Sequence, residues 1–382
     1  MLLNKAFFFL NSLWEKSFDF SQFFFHEKII FIFLCFLEYC YRLGFFFVVK
    51  IKKRNGDRRL LFKVVSVGNI SAGGTGKSVF AAFLIQNIRN YKGAILLRGY
   101  KSTAQKKSFF VSKGEGLLCS SGLAGDEASM FATKLSVPVV VGANRYDSGK
   151  LLENFSIKNR RQIDFVVLDD AYQNYQLKKD FEILLLDARK PFENGHCLPA
   201  GKLREKDYTR ADVIILTHAD DVDSCSLINI RKKLSSKIIE KNIFTGKHSV
   251  VGIYNSKEEK VSKQFFDGKK VCVIAGIGSF EQFVESIKKI HINVFSTIQY
   301  PDHYLYVRDD LIDIADSIRN NKYDVVITTR KDWQKIKPFL KQDKNINSDF
   351  VFILDICFEF LSKEEKILFF DIFHNKLRLP RL

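Results

Sequence analysis

The sequence lacks the features that mark a disulfide scaffold, a zinc finger or an RNA-binding module. Its seven cysteines are odd in number and include no C-x-x-C pair. This pattern indicates reduced, cytosolic thiols rather than disulfides or a zinc site. No zinc-finger or RNP-type signature occurs, so no nucleic-acid partner is predicted. The sequence implies no protein partner either, and it contains no internal repeat.

Acidic residues are scarce relative to basic ones. The 43 aspartates and glutamates face 60 lysines and arginines, which gives a formal net charge of +17. Such an excess indicates an anionic partner, for which a nucleotide and an anionic membrane surface are the candidates. The basic residues are spread over the whole chain, so a lysine-rich solvated surface explains the excess about as well. With 382 residues, 46% of them hydrophobic, the chain has the balance of a folded protein of about two domains.

An apolar stretch at residues 29–49 contains only two charged residues, Glu38 and Arg42. They are four residues apart and can pair on a helix. About 20 apolar residues suffice to cross a bilayer core, although each buried charge costs about 2.5–3.5 kcal/mol. No A-x-A-like site follows the stretch, which argues against a cleaved signal peptide.

Six basic residues within residues 50–59 follow this stretch and mark a cytoplasmic flank. We therefore predict an N-terminal membrane helix, with the rest of the chain in the cytoplasm. The pattern leaves open whether the helix spans the bilayer or lies in its interface. A buried core helix of a soluble protein is the alternative.

Short apolar runs alternate with helical stretches after residue 60. The runs that resemble buried parallel strands are 61–69, 94–100, 137–142, 164–170, 182–188 and 211–219, followed by 271–278, 294–299, 324–329 and 350–356. This alternation predicts a doubly wound α/β fold, in which ligands bind beyond the carboxyl ends of the strands. Residues 250–254 and 260–266 flank a polar turn and are predicted to form a hairpin. The expected division is an attachment segment at 1–60, a main α/β domain at 61–249, and the hairpin with a smaller α/β domain at 250–382.

A glycine-rich loop follows the first of these runs, where residues 67–80 read VGNISAGGTGKSVF. Small residues let backbone N–H groups turn toward a phosphate, and the N-terminus of the following helix adds a positive dipole. A lysine at the helix start can reach the β- and γ-phosphates, and the hydroxyl after it can ligate Mg²⁺. The strict pattern has glycine where Ser71 stands, and an ordinary glycine-rich turn is the alternative. The strand–loop–helix context favours nucleotide binding by Ser71, Ala72, Gly73, Gly74, Thr75, Gly76, Lys77 and Ser78.

Two adjacent acids, Asp169 and Asp170, follow the apolar run at 165–168. A carboxylate at the tip of a strand near the phosphate loop is the Walker-B arrangement that binds Mg²⁺. An ordinary turn at the end of a strand is the alternative, because aspartate is common there.

Several short motifs occur in one order along the chain. They are GNISAGGTGKS (68–78), RGY (98–100), GDEA (125–128), VGANR (141–145), DDAYQN (169–174), LPAGKLRE (198–205), AGIG (275–278) and PDHYLY (301–306). The ordered set resembles the lipid A 4′-kinase (tetraacyldisaccharide 4′-kinase) family, whose loop also has a small residue at the position of Ser71. The resemblance covers roughly residues 68–332. It implies a P-loop NTPase-like kinase domain behind a membrane-attached N-terminus.

This resemblance implies an activity. The family transfers the γ-phosphoryl group of ATP to the 4′-hydroxyl of a tetraacylated glucosamine disaccharide 1-phosphate, at the cytoplasmic face of the inner membrane. Such a substrate suits a basic, anchored enzyme, because its acyl chains stay in the bilayer while its anionic sugar lies at the surface. ATP and Mg²⁺ are the implied cofactors, and the lipid disaccharide and inner-membrane lipids are the implied partners.

The resemblance also implies which residues perform the chemistry. Asp126, in GDEA, matches the family's catalytic aspartate and would accept the proton of the attacking hydroxyl. His303, in PDHY, would orient that aspartate, and Glu127 would support the metal or the base. Ser78 and the Asp169–Asp170 pair would bind Mg²⁺ or its waters. A helix N-cap role for Asp126 and a plain turn role for His303 are the structural alternatives.

Four further residues match positions of the family that face the substrate. Arg98 and Tyr100 lie where the family contacts the lipid headgroup. Arg145 and Arg204 are candidate partners for phosphate, because a guanidinium fork suits it. A surface pair between Arg204 and Glu205 explains the latter arginine about as well.

The chain departs from the family pattern at several positions, among them residues 97–102, which read LRGYKS where the family has SRGYGR. Asn174 stands where the family has histidine, and Arg330 replaces the glutamate of a T-E-K-D motif, so no role is assigned to either. Two other functions stay open. One is a P-loop ATPase of the partitioning or metal-insertion type, which shares the G-G-x-G-K-[ST] loop; the other is a non-catalytic, membrane-bound nucleotide sensor.

Overall fold

A computed structural model describes residues 2–17, 22–54, 58–88, 91–99, 107–302, 304–320, 322–342 and 348–378. Two compact units are formed. Unit 1 comprises Met1–Lys77, Asp170–Lys247 and Phe360–Leu382, and unit 2 comprises Ser78–Asp169 and His248–Glu359. Each unit therefore draws on separate stretches of the chain. The division at residues 60 and 249 stays a prediction.

Helices and strands alternate along the chain, as the sequence predicts. The helices of the described residues are α1 (Leu2–Lys16), α2 (Phe25–Arg54), α3 (Lys77–Asn87), α4 (Ser121–Ala124), α5 (Asp126–Lys134), α6 (Arg145–Lys158), α7 (Ser224–Ser235), α8 (Phe280–Lys289), α9 (Arg308–Arg319), α10 (Arg330–Gln342) and α11 (Lys363–Leu377). The strands are β1 (Lys63–Gly68), β2 (Gly93–Leu97), β3 (Phe109–Lys113), β4 (Pro138–Val141), β5 (Phe165–Asp169), β6 (Phe181–Asp187), β7 (Val213–Thr217), β8 (Ile243–Tyr254), β9 (Lys260–Val261), β10 (Val271–Ala275), β11 (Val294–Gln299), β12 (Val325–Thr329) and β13 (Val351–Phe360).

Unit 1 is built on parallel strands. β1 pairs with β6, β6 with β7, and β7 with the first residues of β8. Gly68, the last residue of β1, is in register with Leu184. Every residue of β7 is buried, which explains its continuous apolar sequence, since strands of parallel sheets have both faces covered. The phosphate loop therefore starts at the carboxyl end of a buried parallel strand.

Unit 2 contains two further groups of strands. β2 lies between β5 and β4 and is parallel to both, while β3 runs antiparallel to β4. β10 lies between β11 and β12, and β13 follows β12, all in parallel. α8 buries Phe280, Phe283, Val284 and Ile287, the spacing of one helical face. Where the sequence predicts a hairpin, Ile253 of β8 pairs antiparallel with Val261 of β9, and residues Lys263–Phe266 of the second predicted arm form a 3-10 helix.

Helix α2 packs one face against other parts of unit 1. Phe31 and Leu34 of α2 pack with Leu13 of α1 and with Ala200, and all four side chains are buried. Within the described residues, α2 is the helix that is long and apolar enough to cross a membrane, by length and composition alone. Its candidate span is 29 residues long, and 17% of the most apolar window is buried.

Glu38, one of the buried charges of α2, pairs with residues 196–206 of unit 1 rather than with Arg42. Its carboxylate accepts a hydrogen bond from the backbone N–H of Cys197 at 2.9 Å and lies 2.7 Å from Nδ1 of His196. The Lys206 ammonium is 3.0 Å away. The carboxylate of Glu38, which would be costly to bury in a bilayer, therefore links α2 to the segment that contains Cys197.

Candidate active site

Glycines shape the phosphate loop at two points in unit 1. A Cβ atom on Gly68 would lie 2.6 Å from both the Cβ and the backbone N of Tyr172, so only glycine allows this close approach. Gly76 has a φ of 78°, in the left-handed region that favours glycine. Lys77 then begins α3. Loop amides that precede a helix N-terminus favour a bound phosphate.

Backbone hydrogen bonds fasten the loop to a second segment of unit 1. The N–H of Ala72 donates to the carbonyl of Lys202 at 2.7 Å, and the N–H of Arg204 donates to the carbonyl of Ile70 at 2.7 Å. The LPAGKLRE motif therefore lies alongside the phosphate loop as a short backbone ladder.

A network of buried and half-buried polar side chains supports the phosphate loop. The side-chain amide of Asn69 lies 3.5 Å from Oγ of Ser71 and 3.4 Å from the carbonyl of Gly73. Nε2 of Gln173 donates to the carbonyl of Asn69 and to Oε1 of Glu205, both at 2.8 Å. Hydrogen bonds to buried side chains hold the loop in one shape before a ligand arrives.

Asp170 contacts two cations of unit 1. Its Oδ1 lies 3.6 Å from Nζ of Lys77 and 3.0 Å from Nη1 of Arg204. A surface pair between Arg204 and Glu205 is not formed, because the carboxylate of Glu205 is buried and bonds to Arg210. Charge-assisted hydrogen bonds to a more highly charged anion would compete with Asp170 for both cations.

A half-buried cation stacks on two aromatic rings, one within the DDAYQN motif and one directly after it. The Arg210 guanidinium lies 3.7 Å from the ring centroid of Tyr172 and 4.8 Å from that of Tyr175. The same guanidinium bonds to Glu205 at 2.6 and 2.8 Å. Burial raises the pKa of the Tyr172 and Tyr175 hydroxyls well above the ordinary value, so both rings stay neutral. The contacts of this cluster are those of a structural support for the segment after β5.

Ser78 and Asp169 meet in unit 2. The Ser78 hydroxyl donates to Oδ2 of Asp169 at 2.8 Å, and Asp169, the last residue of β5, is 2% exposed. Arg145 is 4% exposed and donates to the carbonyls of Gly142 and Asp169 at 3.2 and 3.0 Å. Its guanidinium thus supports the strand end that carries Asp169. Hydroxyl and carboxylate oxygens are ligands that Mg²⁺ prefers, so the Ser78–Asp169 pair fits this ion.

The GDEA motif begins α5 in unit 2. Gly125, with φ 86° and ψ 157°, is the N-cap, and no side chain caps this helix, so the N-cap role for Asp126 is wrong. Oδ2 of Asp126 lies 2.9 Å from Nζ of Lys335. Oε1 of Glu127 lies 3.7 Å from Nζ of Lys331. Both acids therefore face lysines of α10.

Three predicted substrate or catalytic residues lie near the limits of what the structure describes. Arg98 follows β2 and is exposed. Tyr100 and His303 lie outside the described residues. Tyr304, the neighbour of His303 in sequence, has its Cβ 3.1 Å from the place where a Cβ on Gly276 would be. The AGIG and PDHY motifs are therefore in close contact at this point.

Two of the departures from the family pattern have local explanations. Asn174 closes a turn, since its Oδ1 accepts from the backbone N–H of Gln176 at 3.1 Å. Arg330 lies 3.3 Å from Oδ2 of Asp355 and over the ring of Tyr254. The basic side chain at position 330 is thus compensated by an acid of the same unit.

The structure adds polar residues to which the sequence analysis gave no role. Asn69, Gln173 and Glu205 brace the loop, and Lys335 contacts Asp126. The first three lie inside the quoted motifs GNISAGGTGKS, DDAYQN and LPAGKLRE. A prediction that every polar residue of those motifs makes a contact would have included Asn69, Gln173 and Glu205. Lys335 lies outside any motif, and only its spacing of three from Asp332 on a helix hinted at a role.

Comparisons with known proteins agree on one family. The sequence model of the tetraacyldisaccharide-1-P 4′-kinase family (LpxK) matches residues 31–371. The tetraacyldisaccharide 4′-kinase of Halothermothrix orenii is 32% identical over 308 residues, which are 75% of this chain and 78% of that relative. The enzyme of Syntrophus aciditrophicus is 31% identical over 295 residues, 74% and 78% of the two chains. The crystal structure of Aquifex aeolicus LpxK in complex with ATP matches with a TM-score of 0.68 and 26% identity, over 89% of this chain and 97% of that one.

The fold and the site define a phosphate-loop kinase, and the predicted α/β fold is confirmed. The loop, its lysine and the acid pair at a strand end are the parts that this class shares. The chain belongs to the tetraacyldisaccharide-1-P 4′-kinase family: it is an ATP-dependent kinase of lipid A biosynthesis that acts on a lipid disaccharide. Family membership decides against the ATPase and the sensor that the sequence left open.

Proposed function

We propose that the protein transfers the γ-phosphoryl group of ATP to the 4′-hydroxyl of a tetraacyl disaccharide 1-phosphate, with Asp126 as the general base. The observation that supports this most directly is the pair of cations, Lys77 and Arg204, gathered on Asp170 next to the phosphate loop. Phosphoryl transfer depends on positioning and charge stabilisation, and a lysine with a guanidinium supplies both for phosphate oxygens.

Binding of ATP uses the loop amides and these cations. When ATP binds, Lys77 and Arg204 leave Asp170 and pair with phosphate oxygens. The phosphates carry more negative charge than one carboxylate. Mg²⁺, when bound, neutralises charge that develops on the phosphate oxygens. Ser78 and Asp169 would hold the ion, and Asp170 and Glu127 are further candidates. Arg145 acts on this site through the carbonyl of Asp169.

The chemical step moves one proton and one phosphoryl group. Asp126 accepts the proton of the 4′-hydroxyl while the oxygen of that hydroxyl forms a bond to the γ-phosphorus. The bond from that phosphorus to the β–γ bridging oxygen breaks, and ADP leaves with the electron pair. His303 orients Asp126, and Arg98 and Tyr100 bind the sugar headgroup, as the resemblance implies.

The exposure of α2 supports attachment to a membrane. Its exposed apolar side chains recur at helical spacing and include Phe25, Ile29, Phe33, Phe36, Tyr39, Leu43, Phe46, Phe47 and Ile51. The opposite face holds Phe31, Leu34 and Glu38 against unit 1. A helix with one face on protein and the other apolar and exposed suits the membrane interface rather than a crossing. We place this interface on the cytoplasmic side of the inner membrane, where the basic flank meets anionic headgroups.

Substitution of Asp126 by asparagine tests the base. In mixed micelles with γ-labelled ATP and the disaccharide 1-phosphate lipid, Asp126→Asn is expected to lower kcat by about 10²–10⁴-fold, because the proton acceptor is lost. ATP affinity, measured by calorimetry, should stay within about two-fold of the wild type, because the loop cations are untouched.

Asp147→Asn is the matched control, because Asp147 also lies in the first turn of a helix of unit 2 and is exposed. It should retain full turnover. If Asp126→Asn phosphorylates the lipid at the wild-type rate, the assignment of the base is wrong.

A further inference from the structure

Lys335 of α10 places a buried ammonium between two carboxylates of unit 2. Its Nζ lies 2.9 Å from Oδ2 of Asp126 and 3.3 Å from Oδ1 of Asp332. The side chain of Lys335 is 6% exposed and that of Asp332 is fully buried. Burial of a lysine costs hydration, and neighbouring carboxylates offset that cost. The three groups therefore form one electrostatic unit.

Asp332 is itself held on three sides. Its Oδ2 accepts from Oγ1 of Thr329 at 2.8 Å and from the backbone N–H of Gly276 at 3.1 Å. Its own backbone N–H donates to Oγ1 of Thr329 at 2.9 Å. Thr329 ends β12, and Gly276 follows β10. Asp332, which pairs with the Lys335 ammonium, is thus hydrogen-bonded to residues at the ends of two buried strands.

We propose that Lys335, seated on Asp332, is a positioning residue that fixes the carboxylate of Asp126. This inference rests on the proposed role of Asp126 as the base. Asp126 is the first residue of α5, and its side chain needs an outside partner to hold one orientation. A general base must lie within hydrogen-bond reach of the proton it removes, and a misplacement of about 1 Å can cost about 100-fold in rate. The rigid Asp332–Lys335 pair supplies such a constraint.

The test uses the double variant Lys335→Met/Asp332→Asn, which removes the ammonium without leaving a buried carboxylate lacking its cation. Exchanging both partners of a buried pair for neutral groups is far less destabilising than removing one. We expect kcat to fall about ten- to a hundred-fold, with KM for ATP and for the lipid unchanged within about two-fold. The single variant Lys335→Arg should retain most of the wild-type kcat, because arginine keeps a cation next to Asp126 and Asp332.

Lys337→Met is the matched control, since Lys337 lies on the same helix and pairs with Glu258 at 2.6 Å. It should leave kcat at the wild-type value. Unfolding midpoints of all variants show whether any loss of kcat reflects loss of the fold.

A double-mutant cycle separates positioning from a general structural effect. If Lys335 acts through Asp126, the double variant should cause no further loss of kcat in an Asp126→Asn background. An equal fractional loss in both backgrounds, or a wild-type kcat in the double variant, overturns the proposal. A fully active Asp126→Asn would instead show that the base was misassigned, and the inference about Lys335 would fall with it.

Discussion

Gly68 has no room for a side chain, because Tyr172 lies against its Cα. Gly68→Ala would bring a Cβ within 2.6 Å of the backbone of Tyr172, which cannot rotate away. We expect a loss of about 1–3 kcal/mol in the free energy of unfolding, the usual cost of overpacking. Denaturant unfolding measures this loss.

The control for this substitution is Gly122→Ala. A Cβ on Gly122 would meet no atom within 4 Å, so its unfolding free energy should change by no more than about 0.5 kcal/mol. Equal stability of the two variants would contradict the contact at Gly68.

Residues close together in sequence were the easier part of the site to predict. The spacing of the glycines predicts the loop from Ser71 to Ser78, because the backbone geometry of the loop requires glycine at defined positions. Pairing of Lys77 and Arg204 with the same carboxylate, or of Lys335 with Asp126, joins distant parts of the chain. No local pattern encodes such contacts, so they needed the fold. The catalytic roles of Asp126 and His303 stay predictions.

The C-terminal helix α11 begins with a side-chain cap. Oγ of Ser362 accepts from the backbone N–H of Glu365 at 3.0 Å. Ser362→Ala should destabilise unit 1 by about 1 kcal/mol, because an amide of the first turn loses its partner. Hydrogen exchange at the first-turn amides of α11, together with denaturant unfolding, checks this expectation.

Ser362→Asp is the matched variant, since aspartate caps as well as serine does. It should keep the wild-type midpoint. A midpoint that falls equally for alanine and aspartate would show that the serine acts by other contacts.

Elements with one strong period were predictable, and those defined by their neighbours were not. The residues of β12 lie within the predicted run at 324–329, because a buried parallel strand is a largely continuous apolar run. The predicted strand at 294–299 matches β11, whose residues alternate between half-buried and exposed, the period of a strand covered on one face. β3 was missed, since a five-residue antiparallel strand after a polar stretch has no distinctive period. α2 begins four residues earlier and ends five residues later than the apolar stretch, as polar residues continue the helix on both sides.

At the scale of the whole molecule, the exposed face of α2 should control membrane binding. Phe36 is 61% exposed on that face. Phe36→Glu is expected to weaken binding to anionic phospholipid vesicles by about ten-fold or more, because one buried aromatic side chain contributes about 1.5–3 kcal/mol of transfer free energy. Flotation with vesicles at constant ionic strength measures the bound fraction.

Ile157→Glu is the control, because Ile157 is 66% exposed on α6, away from the N-terminal helices in sequence. It adds the same charge and should leave vesicle binding unchanged. Equal losses for the two variants would mean that net charge, rather than the apolar face, governs attachment.

Helix α2 also contacts the segment that lies beside the phosphate loop. The Tyr41 hydroxyl donates to the carbonyl of Arg204 at 2.9 Å, and Glu38 accepts from the N–H of Cys197. Arg204 in turn forms the backbone ladder with the loop. A protease that clipped off the first 54 residues would therefore release a damaged enzyme and not merely a soluble one.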